Sequence, residues 1–227
     1  MPRARQTASG GGFGTSVILA FPFPVLPGSL LIYGHTGDVA FTSLTDTLNV
    51  PKLGSKLDVT IFTAVHYVEN SLGGSITVTR NHASGNAGLQ IAEFVNWNHF
   101  LTGSLENVLS ASGFSTTPNS GNMTTIWPVQ LLIGYCGFES AGAPYNQQAA
   151  WQEEVDFAIA GGSGELMTQY VTAAGAYSAS GTVTATPNWC QHILGFKLTP
   201  FTQPNYGSLP PTFRKRVSIQ QQMDELP

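Results

Sequence analysis

From Ser16 to Phe196 the chain is a succession of short runs rich in Val, Ile, Thr, Tyr and Phe, each closed by a cluster of Gly, Ser, Asn or Pro. β-branched and aromatic residues suit a pleated, partly covered surface, and Gly and Asn supply the turns between such segments. No stretch reads as a helix long enough for a βαβ crossover, which excludes a doubly wound fold. Ten to twelve short strands at close spacing predict two packed antiparallel sheets. The fold class read here is all-β, an antiparallel two-sheet sandwich with extended ends.

The expected strands are Ser16 to Phe21, Ser29 to Gly34 after a Pro27-Gly28 turn, and Val39 to Leu44. Leu57 to Glu69 is the longest run of strand formers, and both of its faces look covered, as in a central strand. Asn70 to Gly74 forms a turn that leads into Ser75 to Arg80, giving a hairpin. Leu89 to Val95 follows an SGNAG loop, and Glu93 shares a face there with Leu89, Ile91 and Val95. Trp97 to Met123 reads as a crossing connection with a helical turn near Leu105 to Leu109. Val129 to Cys136, Glu153 to Ile159, Leu166 to Val171, Gly181 to Ala185 and Trp189 to Phe196 complete the set. The division is an N-terminal arm at 1–14, holding three consecutive glycines, a sandwich at 15–198 and a Pro-rich arm at 199–227.

At 227 residues an all-β chain can still be one domain. Only 10% of the residues are charged, against about 25% in an ordinary soluble domain. That shortage fits a surface hidden in an assembly or covered by Ser, Thr, Asn and Gly. Five of the nine basic residues lie in the ends: Arg3, Arg5, Arg214, Lys215 and Arg216. The remainder holds four basic and eleven acidic residues, a net of -7. Basic ends on an acidic body fit contact with a neighbouring copy. Three contiguous basic residues make a small footprint for nucleic acid, which is not the partner expected.

Prolines at 200, 204, 210 and 211 predict an extended C-terminal segment. A partner surface would explain its apolar members, so Phe201, Tyr206, Phe213 and Ile219 join the basic residues as expected assembly contacts. The apolar stretch near the N-terminus is broken by Pro22 and Pro24 and does not read as a secretory signal. No run of about 20 apolar residues suits a membrane span.

Motifs for chemistry are sparse. The histidines at 35, 66, 82, 99 and 192 fall in no metal-ligand spacing, although His66 beside Glu93 or Glu153 is an arrangement that strands can create. Glu153, Glu154 and Asp156 are candidates for glycoside hydrolysis or calcium, with Glu154 and Asp156 on one strand face and Glu153 on the other. A solvated rim is the plainer reading. No serine stands in a strand-to-helix elbow, and the glycine clusters lack the Lys and helix of a phosphate loop. Cys136 and Cys190 suit buried thiols, and a disulfide remains open. No catalytic residue, cofactor or metal is assigned. Trp127, Trp151, Trp189 and Tyr145 could line a sugar-binding face, and Trp97, flanked by asparagines, is the best candidate for an exposed glycan contact; Trp189 suits the core.

The ordered series GSLLIYG, DVTIFTAVHYVENSLGGSITVTR, AGLQIAEFVNW, QLLIGYCGF and VTAAGAYSASGTVTATPNWCQHILGFK resembles a β-sandwich domain of phage virion proteins and bacterial surface proteins. The matching residues are Tyr67, Glu69, Asn70, Gly73, Gly74, Ala92, Glu93, Phe94, Tyr177, Phe196 and Lys197, and the likeness covers about residues 15–198. It implies a jelly-roll-like sandwich and a non-enzymatic structural role as a capsid decoration, tail or fibre component, with adhesion or carbohydrate binding as the alternative. With no signal peptide or tandem repeats read in the chain, the virion version is favoured, assembled in the host cytoplasm as a homo-oligomer with other virion proteins.

Overall fold

A computed structural model describes residues 3–95, 100–139 and 144–199. Along the first half run β1 (Gln6–Ala20), β2 (Leu30–Gly37), β3 (Phe41–Asp46), β4 (Lys52–Asp58), β5 (Phe62–Val68) and β6 (Thr77–Phe94). The second half holds β7 (Phe100–Phe114), β8 (Met123–Thr125), β9 (Gln130–Phe138), β10 (Tyr145–Gln147), β11 (Gln152–Ile159), β12 (Gly162–Val171), β13 (Gly175–Tyr177), β14 (Gly181–Val183) and β15 (Asn188–Leu198). The described residues include no helix.

All ladders are antiparallel, and each large sheet is built from one contiguous half of the chain. The first sheet has the order β1-β6-β2-β5-β4 with β3 also on β6, and the second has the order β11-β12-β9-β15-β7. The chain therefore passes between the large sheets once, between β6 and β7. A jelly roll instead winds two Greek keys through its paired sheets. The described architecture is a two-sheet antiparallel sandwich.

Alternation of side chains explains the layering. On β2, Leu30 and Ile32 enter the central core with Val65, Phe94, Ile133, Leu166 and Phe196, while Leu31 and Tyr33 face a second core with Val68, Val78, Leu89 and Ile91. That second core lies on the first sheet's outer side, because β6 is long enough to serve two partners along one edge. Residues 87–94 pair with β2 and residues 78–82 with β3. The second sheet's outer face carries a third core of Met123, Leu132, Phe138, Trp151, Met167, Trp189 and Ile193. It is roofed by loops bearing the small ladders β10-β14 and β8-β13.

Close sheet contact depends on two glycines. A Cβ on Gly34 would lie 2.4 Å from the Tyr135 ring, and one on Gly88 would lie 1.8 Å from the Phe157 ring. The missing side chains are the sockets into which the opposite sheet's aromatics fit.

Several sequence expectations are corrected. The expected N-terminal arm is β1 from Gln6 onward, paired from Gln6↔Glu93 to Ala20↔Thr77. The triple glycine lacks periodicity, but its backbone groups find partners in Leu89, Gly88 and Ala87. Leu57 to Glu69 is not one strand: β4 and β5 form a hairpin turning at residues 59–61. The hairpin expected between Leu57–Glu69 and Ser75–Arg80 is also absent, since β5 pairs with β2 and β4. The SGNAG loop lies inside β6. The supposed crossing connection with its helical turn contains β7, which takes its register from the apolar strand β15.

Candidate functional site

Two surfaces and two buried polar clusters stand out, and the sequence-predicted residues fall among them unevenly. Arg3 is exposed. Arg5 donates from Nη1 to Glu93 Oε2 at 2.6 Å and to the Pro24 carbonyl at 3.1 Å. Trp97, Phe201, Tyr206, Phe213, Arg214, Lys215, Arg216 and Ile219 lie outside the described residues.

Glu93 is fully buried and is the hub of the first sheet's end. Besides Arg5 it accepts from Gln6 Nε2 at 2.5 Å, Leu26 N at 2.7 Å and Ser29 Oγ at 2.8 Å. Burial alone would push the carboxyl up, but these four donors outweigh it and hold the group below the usual carboxylate range. The hub ties β1 and the 21–29 loop to the end of β6. Sharing a face with Leu89 and Ile91 was the sequence signal that Glu93 is enclosed.

The loops at that end form the first surface. Val25 and Gly74 exchange backbone hydrogen bonds at 2.8 Å, Gly28 N donates to the Ser71 carbonyl, and Leu72 N donates to Asn49 Oδ1. Joined in this way, they leave Phe23, Leu26, Leu48, Val50 and Leu72 exposed, Val50 at 87%. Glu69 accepts from Ser104 N and Oγ at 2.5 and 2.6 Å, so the 69–74 loop sits beside the start of β7. Leu198 pairs there with Phe100, and the chain leaves at Thr199 on this same end.

The second surface is a cavity of about 370 Å³ on the outer face of the second sheet, lined by Phe138, Tyr145, Phe157, Glu153, Asp156 and Glu165 among others. Regular alternation would put Glu153 opposite Asp156. A bulge between Glu153 and Val155 shifts the register, so that both line the cavity. Glu154 is instead engaged by Thr168 Oγ1 at 2.6 Å and by Ala4 N at 3.1 Å. Asp156 stands directly across from Glu165. Glu165 is 2% exposed and its Oε1 has no hydrogen-bond partner. Burial, then the nearby Glu153 and Asp156 carboxylates, push its carboxyl up to about 9, so it holds its proton at neutral pH. Sequence reasoning missed Glu165; an acidic residue directly before Leu166 in a strand-forming run was the available signal.

The remaining polar clusters are closed. His35 and His66 stack at 5.4 Å between ring centroids, with Phe41 against both. This replaces the idea of His66 beside Glu93 or Glu153. Arg80 is fully buried and donates from Nη1 to the Thr36 and Gly88 carbonyls, while its Nε and Nη2 have no partner. Burial holds His35 well below, and His66 down to about 4. Between the sheets, His192 contacts Ser55 Oγ at 2.7 Å and Thr63 Oγ1 at 2.8 Å, and burial lowers it to about 3. Cys136 and Cys190 are free and buried. Cys190 is aligned with Gly137 and Gln191 with Cys136, so the thiols project to opposite faces of the sheet, which settles the open disulfide question. Tyr145, Trp151 and Trp189 are buried, and half-buried Trp127 donates from Nε1 to the Leu198 carbonyl at 2.7 Å, so none of them forms an exposed sugar platform. No three His, Cys, Asp or Glu side chains converge as metal ligands among the described residues. None of these residues forms a helix long and apolar enough to cross a membrane.

Comparison with protein-family models, curated proteins and solved structures finds no match to this chain.

Proposed function

We propose that this chain is a non-enzymatic structural subunit that assembles with like subunits through its sandwich and its C-terminal segment, as a capsid decoration, tail or fibre component of a phage particle. The observation that supports the assembly reading is the apolar end face of Phe23, Leu26, Leu48, Val50 and Leu72, on the same end at which the chain leaves at Thr199. Exposed apolar side chains gathered on hydrogen-bonded loops are characteristic of contact surfaces. The 28 residues of 200–227, with Phe201 and Tyr206 near their start, are long enough to lie on the end face of a neighbouring copy. The viral setting, with assembly in the host cytoplasm, rests on the sequence resemblance.

Electron microscopy of the purified full-length chain tests this reading. Regular closed or tubular particles are expected, and a uniform field of single 24.1 kDa subunits at micromolar concentration would contradict it.

A further inference from the structure

We propose that the cavity between Glu153, Asp156 and Glu165 is a socket for a cationic side chain, supplied by the Arg214-Lys215-Arg216 segment of a second copy. This deepens the assembly reading above and rests on it. Three carboxyl groups face one cavity, and no lysine or arginine is among its lining residues in the described part of the chain. Glu165 adds what a solvated acidic rim lacks, a buried carboxyl oxygen with no hydrogen-bond partner. Unpaired buried polar atoms are uncommon in folded proteins and call for a partner.

The walls fit such a guest. Phe138, Pro144 and Tyr145 offer apolar surface to the methylene stem of an arginine or lysine, and the carboxyl groups receive its charged head. A phosphate-bearing partner would meet these carboxyl groups with charge of the same sign. A chelated metal would need converging ligands, and among the described residues no three His, Cys, Asp or Glu side chains converge.

The chain's other cations have different positions. Arg5 is paired with Glu93, Lys52 with Glu69 and Lys56 with Asp58, Arg80 is buried, and Arg3 is exposed beside Ala4, whose amide donates to Glu154. The consecutive basic triplet lies fifteen residues beyond Thr199. Fully extended, those residues span roughly 50 Å. The cavity sits at the Phe138 end of β9, away from the Gln130 end where Leu198 and Lys197 lie. At about 3.3 Å per residue, that strand is short enough for the segment to reach such a cavity on an adjoining subunit.

Carbodiimide coupling of the full-length protein, mixed from equal parts of unlabelled and nitrogen-15-labelled chains, tests the contact. The expected product is an amide between the Lys215 amine and Glu153 or Asp156, in mixed-isotope form. Lys215 coupled only within one chain, or only to other carboxyl groups, overturns the socket. In parallel, the full-length Glu153→Gln/Asp156→Asn variant should self-associate at least tenfold more weakly, with a melting temperature close to that of the unaltered chain. Unchanged association of a folded variant overturns the socket and leaves the assembly reading standing. An unaltered chain that stays monomeric overturns both.

Discussion

The two halves of this molecule each contribute one sheet, yet they set a buried carboxyl group in opposite surroundings. The first half surrounds the buried Glu93 carboxyl with four donors. The second half leaves Glu165 Oε1 without a hydrogen-bond partner at a cavity beside two more carboxyl groups. A buried group whose hydrogen bonds are complete is part of the framework, whereas one left incomplete beside an opening is placed to meet something else. Glu93 ties the first sheet's end together, and the second sheet's Glu165 borders an open cavity.

Substitutions that separate the halves should have the largest effect. Gly88→Val drives a side chain into the Phe157 ring that joins the two sheets. Overpacking of this kind costs about 1–3 kcal/mol and occasionally more, and a contact at 1.8 Å belongs at the upper end or beyond. Chemical denaturation should show loss of at least 3 kcal/mol, or no soluble protein; a near-normal midpoint would mean that the sheets do not meet as described.

Next comes the first-half hub. Glu93→Ala leaves the Arg5, Gln6, Ser29 and Leu26 donors without their acceptor, and breaking a buried ionic network costs about 3–5 kcal/mol. Because the folded carboxyl is held below its ordinary value, this stability is present above that value and is lost as pH falls through the folded one. Equilibrium unfolding at pH 7 and pH 3 should show a smaller gap between variant and parent at the lower pH.

A pH series then sets one half against the other. For His66, at about 4 against 6.5, the unfolded chain takes up a proton first as pH falls, so stability drops from about pH 6.5 toward pH 4. Glu165, at about 9 against 4.5, acts in reverse: the unfolded carboxyl loses its proton first as pH rises, so stability drops from about pH 4.5 toward pH 9. Glu165→Gln should flatten the alkaline side of the melting curve and spare the acid side, and His66→Gln should flatten the acid side alone. Identical profiles for all three proteins would remove the contrast between the halves. The smallest effect is expected at the rim. Lys52 is largely exposed in its pair with Glu69, and Lys52→Ala should change stability by no more than about 0.5 kcal/mol.

The legible part of the fold was the part where apolar alternation decides the outcome. β2, β9 and β15 coincide closely with their sequence readings because their side chains fill cores on both faces. β7 was hidden because its Ser, Asn and Gly give no alternation of their own and its register comes from β15. The glycine run in β1 was read as an arm for the same reason, its structure being set by the partner strand. The break at residues 59–61 escaped notice since Val, Thr and Ile favour strands wherever they stand. Glu93 was conspicuous as an acid on an apolar face, whereas the cavity carboxyl groups were not, because a single bulge brings Glu153 alongside Asp156.

Light scattering of the full-length chain beside a chain ending at Thr199 tests the assembly claim most directly. The full-length protein should scatter as a multimer of the 24.1 kDa subunit, and the shortened one as a folded monomer with its β spectrum intact. Equal masses for two folded proteins would contradict assembly through the C-terminal segment.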